Sequence, residues 1–255
     1  MNILDLDLDF FLNQSSAWVS TNGTNRLPSK IYTPWEINEV INFLENQCRL
    51  IKEKKIDGKL LTHHDEVYYE VKNMIESGQI NTVNIDHVDA HADLGLGDLC
   101  FKYLFFNLIR KSVRKRYYHN ENVPKIEKMG PGNYLLFMIA NRWVKRLRYI
   151  HLDKNGNDTN WVFFKDLNPD SGFIKLRAYC ESQIPEDFER VDPYKFILET
   201  SPCIFEKEIP FETIYNRDFT TDLNYDYIFL TQSPSFTPVE SDKLIPIILE
   251  YVDQK

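Results

Sequence analysis

Three short stretches of this chain concentrate groups that bind cations. It opens MNILDLDLDFFL, in which Asp5, Asp7 and Asp9 alternate with Leu4, Leu6 and Leu8. Further on stand THHDE, with His63, His64, Asp65 and Glu66, and VDAHAD, with Asp89, His91 and Asp93 at spacing i, i+2, i+4. Alternate residues of an extended chain share a side, so each run can aim its acids and imidazole at one point. Together they form a mixed oxygen and nitrogen donor set, suited to Mn2+, Fe2+ or Zn2+ rather than to Ca2+ alone. Like charges along one side of a strand repel, and a buried carboxylate without counter-charge costs on the order of several kcal/mol. Two divalent cations would cancel that repulsion, which would explain why a strand can begin this way.

Each stretch alone has a plainer reading. Asp-x-Asp pairs are common in turns and at solvated edges, and Asp65 and Glu66 fit the first turn of a following helix. DAHAD at the end of an apolar strand is the most telling of the three. It is their joint placement at strand ends that supports the metal expectation. His87 reads as a strand histidine satisfied by its neighbours, and His119 and His151 as surface residues.

Periodicity outlines the elements that must position these groups. Residues 3–11 read as a buried strand and residues 13–32 as a polar loop. In TPWEINEVINFLENQCRLIKEKK, Thr33 is the expected N-cap, Pro34 suits the first helical position, and Glu36 completes a capping box. Ile37, Val40, Ile41, Leu44, Cys48 and Ile51 recur at helical spacing, and Lys52, Lys54 and Lys55 suit the helix's negative pole. KLLTHHDEVYYEVKNMIESG reads as strand, polar switch and helix, with Gly78 as C-cap, and TVNIDHVDAHADL as another strand. GPGNYLLFMIANRW reads as a turn feeding a helix, WVFF and CIFE as strands, and DKNGNDTN as a turn. YDYIFLTQSP is a strong strand and SDKLIPIILEYV a last helix, while the block from His151 to Phe219 shows the least pattern. This alternation predicts an α/β fold with a mostly parallel central sheet covered on both faces, whose ligands gather beyond the carboxyl ends of the strands. With no repeat, low-complexity segment or linker in evidence, residues 1–255 read as a single catalytic domain.

Composition narrows the function. The chain has 255 residues, 43% hydrophobic and 14% aromatic, which suits a large core and argues against disorder. A net charge of -8 argues against nucleic acid and anionic membrane as partners, and is compatible with a cationic substrate. Cys48, Cys100, Cys180 and Cys203 lack the spacing of a thiolate zinc site or a disulfide framework. With no signal peptide and no apolar run able to span a bilayer, a soluble, cytoplasmic protein is expected. The basic run RKSVRKR could dock an acidic segment of a partner, although a solvated helix face is the simpler reading.

VDAHAD resembles the Asp-Ala-His-x-Asp signature of the ureohydrolases, the arginase and agmatinase group. LDLDFF is similar to their Asp-x-Asp strand, and the HHD stretch to their strand-end histidine ahead of a helix. In ordinary arginases the Asp-x-Asp strand lies late in the chain. Its N-terminal position here, with the short length, resembles the divergent arginase-like group that includes the peptide arginases, which convert arginine side chains of ribosomally synthesised precursor peptides to ornithine. The resemblance implies a three-layer α/β/α arginase/deacetylase-like fold, two Mn2+ per chain, an arginine-containing precursor peptide as substrate, a metal-bridging hydroxide as nucleophile, and urea as a product.

Carried over by motif position, Asp89 would bridge both metals, Asp93 and the strand-end histidine would complete one, and His91 the other. Asp7 and Asp9 would supply the remaining shared and single ligands. His64, which directly precedes the helix-starting residues, is preferred over His63, and Asp5 is left to a structural or supporting role. Asp93 would also pass a proton to the departing amine. Glu66 and Glu240 are the candidates for holding the guanidinium. The sequence departs from the family in three places. LLTHHD replaces a glycine-rich strand end, LGLGDLCFKYLF lacks the histidine that usually follows the main signature, and GPGNYL, with Asn133, is a weak match for a free amino-acid clamp. An internal arginine of a peptide carries no such charges, so this last departure suits a peptide substrate. LTQSPSFTP is expected to line the mouth of the site, with Gln232 and Ser233 as polar contacts. The rival readings are a single-zinc amidohydrolase of the deacetylase type, a ureohydrolase of free arginine or an agmatine-like molecule, and a non-catalytic binding module.

Overall fold

The Leu/Asp alternation does make a strand, though a shorter one than its pattern predicts. In the computed structural model, which describes residues 1–14, 26–95, 101–116, 129–152, 158–185 and 192–255, strand β1 is Asn2–Asp7. Leu8–Phe11 then turns as a 3-10 helix because the Asp7 side chain accepts a hydrogen bond from the Asp9 amide. Along β1, Leu4 and Leu6 join one hydrophobic core while Ile3 joins the other, so the strand is buried on both faces. Each such leucine contributes about 1.5–3 kcal/mol on burial, which offsets part of the cost of carrying acids on the same strand.

The chain continues through α1 (Ile37–Asn42), β2 (Ile56–Leu61), α2 (Glu66–Glu76), β3 (Val83–Val88), α3 (Phe101–Tyr103), α4 (Tyr134–Ala140) and β4 (Val144–His151). It then forms β5 (Phe173–Ile174), β6 (Arg177–Ala178), α5 (Pro193–Glu199), β7 (Ile204–Phe205), β8 (Ile209–Tyr215), β9 (Tyr227–Thr231), α6 (Ile245–Ile248) and β10 (Val252–Gln254). An eight-stranded sheet runs in the order β10-β2-β9-β1-β3-β4-β8-β5, with β6 and β7 paired apart from it. Every pairing in the large sheet is parallel except that of β5 with β8, so the fold is α/β as the element order predicts. Residues of α2 and α4 pack in one core and residues of α1 and α6 in the other, which places helices on both faces. Among the described residues no helix is long and apolar enough to cross a membrane.

Several boundaries differ from the sequence reading. The first helix starts at Ile37, with Glu36 rather than Thr33 as N-cap and reciprocal bonds between Glu36 and Glu39. Residues 33–35 are held extended instead, by a bridge between Leu12 and Pro34 and a bond from the Trp35 amide to Phe11 O. The helix continues as a π-helical segment, Phe43–Gln47, and stops before Arg49, whose φ is 57°, leaving Ile51 and the lysines outside it. Gly78, at φ 76°, does follow the end of α2 in the left-handed conformation that glycine adopts without strain. Trp161–Phe163 forms a 3-10 turn rather than a strand because Asn160 caps it through the Val162 amide. The expected last helix is divided: Val239–Leu244 and Leu249–Tyr251 are 3-10 turns around the short α6, and the chain then adds β10. His151 is buried, with its ring 5.0 Å from that of Tyr149, rather than at the surface. In the basic run Arg110, Lys111, Arg114 and Lys115 are exposed, as a solvated face predicts, but the Arg116 guanidinium is buried on the carbonyls of Lys111, Ile109 and Ala140 and on Glu206. His119, Cys100 and residues 153–157 of DKNGNDTN lie outside the described residues.

Candidate metal centre

The parallel register brings the acidic stretches to one rim of the sheet. Asp7 is level with Thr231 of β9, Thr231 with Leu61 of β2, and Leu6 with Val88 of β3. The turns that leave these four strands therefore converge. Asp7 ends β1 and Asp9 sits in the turn beyond it. His64 lies between β2 and α2, where Glu66 accepts a bond of 2.9 Å from the His63 amide and fixes the turn. His64 is buried there and His63 is exposed.

The DAHAD run reaches the centre by a route that strand geometry does not describe. It is not extended beyond Val88. Asp89 Oδ1 accepts from the His91 amide at 2.7 Å, an Asx-type turn, and Asp93 adopts φ 49°, in the left-handed region unusual for a side chain-bearing residue. The Ala90 amide donates to Asp9 Oδ1 at 3.3 Å and the Ala92 amide to Asp158 Oδ1 at 2.9 Å, which pins the loop on either side of His91.

His64 Nδ1 faces Asp7 Oδ2 at 3.1 Å, Asp89 Oδ2 at 3.0 Å and Asp93 Oδ2 at 3.0 Å. A second set forms around His91 Nδ1, with Asp9 Oδ2 at 3.0 Å and Asp89 Oδ1 at 3.6 Å. Asp89 thus faces one set through each of its oxygens. An imidazole nitrogen carries at most one hydrogen and cannot serve three acceptors. Consistent with that, His64 Nδ1 and Asp93 Oδ2 are buried without a hydrogen-bond partner. Ligand atoms about 2.1 Å from one ion, at angles between right and tetrahedral, stand roughly 3.0–3.4 Å apart, which is the spacing seen around His64. These buried Asp and His groups could hold a metal ion.

Their electrostatics fit the same description. Burial raises Asp93, and the charge of Asp89 adds to it, lifting the carboxyl to about 7. Burial, with the charges of Asp7 and Asp89, pushes Asp9 well above the usual range. Burial also opposes the charged forms of Asp89 and the histidines, but their mutual attraction prevails. Asp89 stays well below the ordinary carboxylate range, and His64 and His91 well above the imidazole range. Such opposed shifts are what like charges crowded into a dry pocket produce.

Groups around these sets hold them in place. Asp5 is wholly buried and accepts from the Tyr134 hydroxyl, from His87 Nδ1 at 3.0 Å and from His64 Nε2 at 3.1 Å. Burial works against its ionised form, yet His64 and His87 keep Asp5 far below the ordinary carboxylate range. His87 also reaches the His91 carbonyl at 3.1 Å, so it is satisfied by its neighbours. Ser233, at φ 46°, donates its hydroxyl to Asp7 Oδ2. The other polar residues named from sequence lie elsewhere. Gln232 donates to Asp242 at 3.1 Å, and Asn133 is buried with its oxygen accepting from the Gly130 amide at 2.9 Å. Glu66 caps its turn, and Glu240 is exposed in the turn before α6. A cleft of about 580 Å³ beside α1, lined by residues such as Trp35, Asn38, Gln47 and Asn216, includes none of the centre's acids or histidines.

Tyr134 and Asp158 gave no motif signal in the sequence. Asp5 gave one, since it shares a strand side with Asp7. No protein-family model matches this chain, and no curated protein matches it.

Proposed function

We propose that the chain is a binuclear metallohydrolase that converts arginine side chains of a peptide to ornithine, releasing urea. One observation carries the metal reading: a buried imidazole nitrogen faces three carboxylate oxygens at 3.0–3.1 Å, and one of those acids turns its other oxygen to a second histidine. Asp7, His64, Asp89 and Asp93 would hold one cation, and Asp9, Asp89 and His91 the other, with Mn2+ suited to this donor set. Two divalent cations at such a centre supply an ionised water near neutral pH and neutralise developing negative charge.

The chain's own groups have distinct tasks in this reading. Asp93 is buried beside His64 and, with one carboxylate oxygen on a cation, could use the other to take up a proton and deliver it to a departing amine. His91 is the half-open member, its side chain 21% exposed, with the Phe236 ring 5.3 Å away, and it marks the side from which a substrate can approach. The resemblance of VDAHAD and the Asp-x-Asp run to the arginase-like group supports a guanidinium as the group attacked, and the net charge of -8 is compatible with a cationic substrate.

The test is to load the protein with Mn2+, add an arginine-containing peptide, and measure urea together with the mass loss of arginine-to-ornithine conversion. Free arginine is assayed in parallel, and two metal equivalents per chain are expected. One zinc per chain with deacylation of an acyl-lysine peptide would replace this reading by the deacetylase-type one. Metal binding with turnover of none of these substrates would remove the hydrolase assignment.

A further inference from the structure

We infer that Asp5 is a positioning residue that sets the orientation and tautomer of His64, so that its Nδ1 rather than its Nε2 is offered to a cation. The inference rests on the metal reading of the centre, but the hold of Asp5 on the ring can be measured without metal. Asp5 lies on β1 directly across from His87 on β3, and Tyr134 reaches it from the first residue of α4. Its Oδ1 meets His64 Nε2 at 3.1 Å, while Oδ2 meets His87 Nδ1 at 3.0 Å and the Tyr134 hydroxyl. Three donors from three elements leave this carboxylate little freedom, and it in turn fixes the edge of His64 that it touches.

The ring of His64 is confined on its faces as well. It stacks on His87 with centroids 5.2 Å apart and planes 28° apart, and it lies 5.0 Å from the Tyr134 ring. A carboxylate can only accept, so Nε2 must be the protonated nitrogen of a neutral His64. Nδ1 is then left with its lone pair pointing at Asp7, Asp89 and Asp93. A lone pair facing three carboxylate oxygens is repulsive unless a cation or a second ring proton lies among them. Supporting bonds of this type orient ligating histidines and raise their basicity. An asparagine at position 5 keeps one acceptor oxygen for these donors and sets its NH2 against either His64 or the His87 and Tyr134 pair, which loosens the hold on the ring.

Nitrogen-15 spectra of the metal-free protein, taken at a pH high enough for His64 to be neutral, should show its one proton on Nε2. Asp5→Asn should abolish that preference and weaken Mn2+ binding, measured by competition titration, by roughly 10–100-fold. If Asp5→Asn does not fold, Tyr134→Phe keeps the carboxylate and removes one donor, and a smaller loss of affinity with an altered His64 resonance is expected. A neutral wild-type His64 carrying its one proton on Nδ1 would overturn the proposal. So would variants with unchanged imidazole spectra and unchanged affinity. A protein that bound no metal would sink the metal reading, while the spectra would still decide whether Asp5 sets the tautomer.

Discussion

At the level of single residues, Asp89 and His64 bear the most on function. Asp89→Asn should reduce urea release to background, because each oxygen of this residue serves a different set, and Asp7→Asn should do the same. Full activity in both variants would refute the ligand assignment. Ser233→Ala removes the hydroxyl bonded to Asp7 and should weaken metal binding roughly 10-fold while leaving the fold intact, as circular dichroism would show. The acid–base shifts give a prediction with a definite sign. His64, His87 and His91 all have folded pKa values above the model-peptide 6.5, and Asp93 stands at about 7 against 3.8. The folded chain therefore keeps protons that the unfolded chain releases. The histidine contribution is complete below 6.5 and is lost as pH rises through the folded values, while that of Asp93 is complete below 3.8 and is lost through about 7. With chelator present, the melting temperature should fall as pH rises through about 7 and above, and added Mn2+ should restore more of it at the higher pH. These residues were legible because acids on an apolar strand are chemically out of place. The polar contacts were not legible, since whether Gln232, Ser233 or Asn133 faces a substrate depends on turn geometry that spacing does not encode.

At the level of elements, the close pairing of the strands tolerates little change. A Cβ on Gly58 of β2 would stand 2.4 Å from the Ile228 carbonyl oxygen of β9 and 2.7 Å from Val252 Cγ1 of β10. Gly58→Ala should therefore cost about 1–3 kcal/mol in a urea-unfolding measurement. On the far side of β1, Arg148 of β4 makes two bonds to Asp86 of β3, which also accepts from Tyr225. Arg148→Ala would leave that buried acid without its counter-charge, at a cost of about 3–5 kcal/mol by the same measurement. The strands that carry the centre were readable from apolar runs ending in polar switches. β4 and β8 were not. β4 carries Lys145, Arg146 and Arg148 among its apolar residues, and β8 includes Pro210, Glu212 and Thr213, so neither presents a clean run or a strict alternation. β10 was hidden because its three residues follow 3-10 turns that imitate a helical pattern.

For the molecule as a whole, the centre joins parts of the chain that are far apart in sequence. Cation binding to the folded state alone should raise stability by about 2.7 kcal/mol for each site at a hundredfold excess over its dissociation constant, and calorimetry with and without Mn2+ measures this. The α/β class was legible because strand and helix patterns alternate, but the order of strands was not, as pairing across long loops leaves no local mark. That order has a consequence for biosynthesis. β1 leaves the ribosome before the other strands of the sheet, yet its neighbours are β3 and β9. Until Tyr227–Thr231 emerges, one edge of the opening strand has no partner and its acids have no complete enclosure. Nascent chains stalled ahead of Tyr227 should therefore capture no Mn2+, whereas released chains should, which would make cation uptake a late event in the life of each molecule.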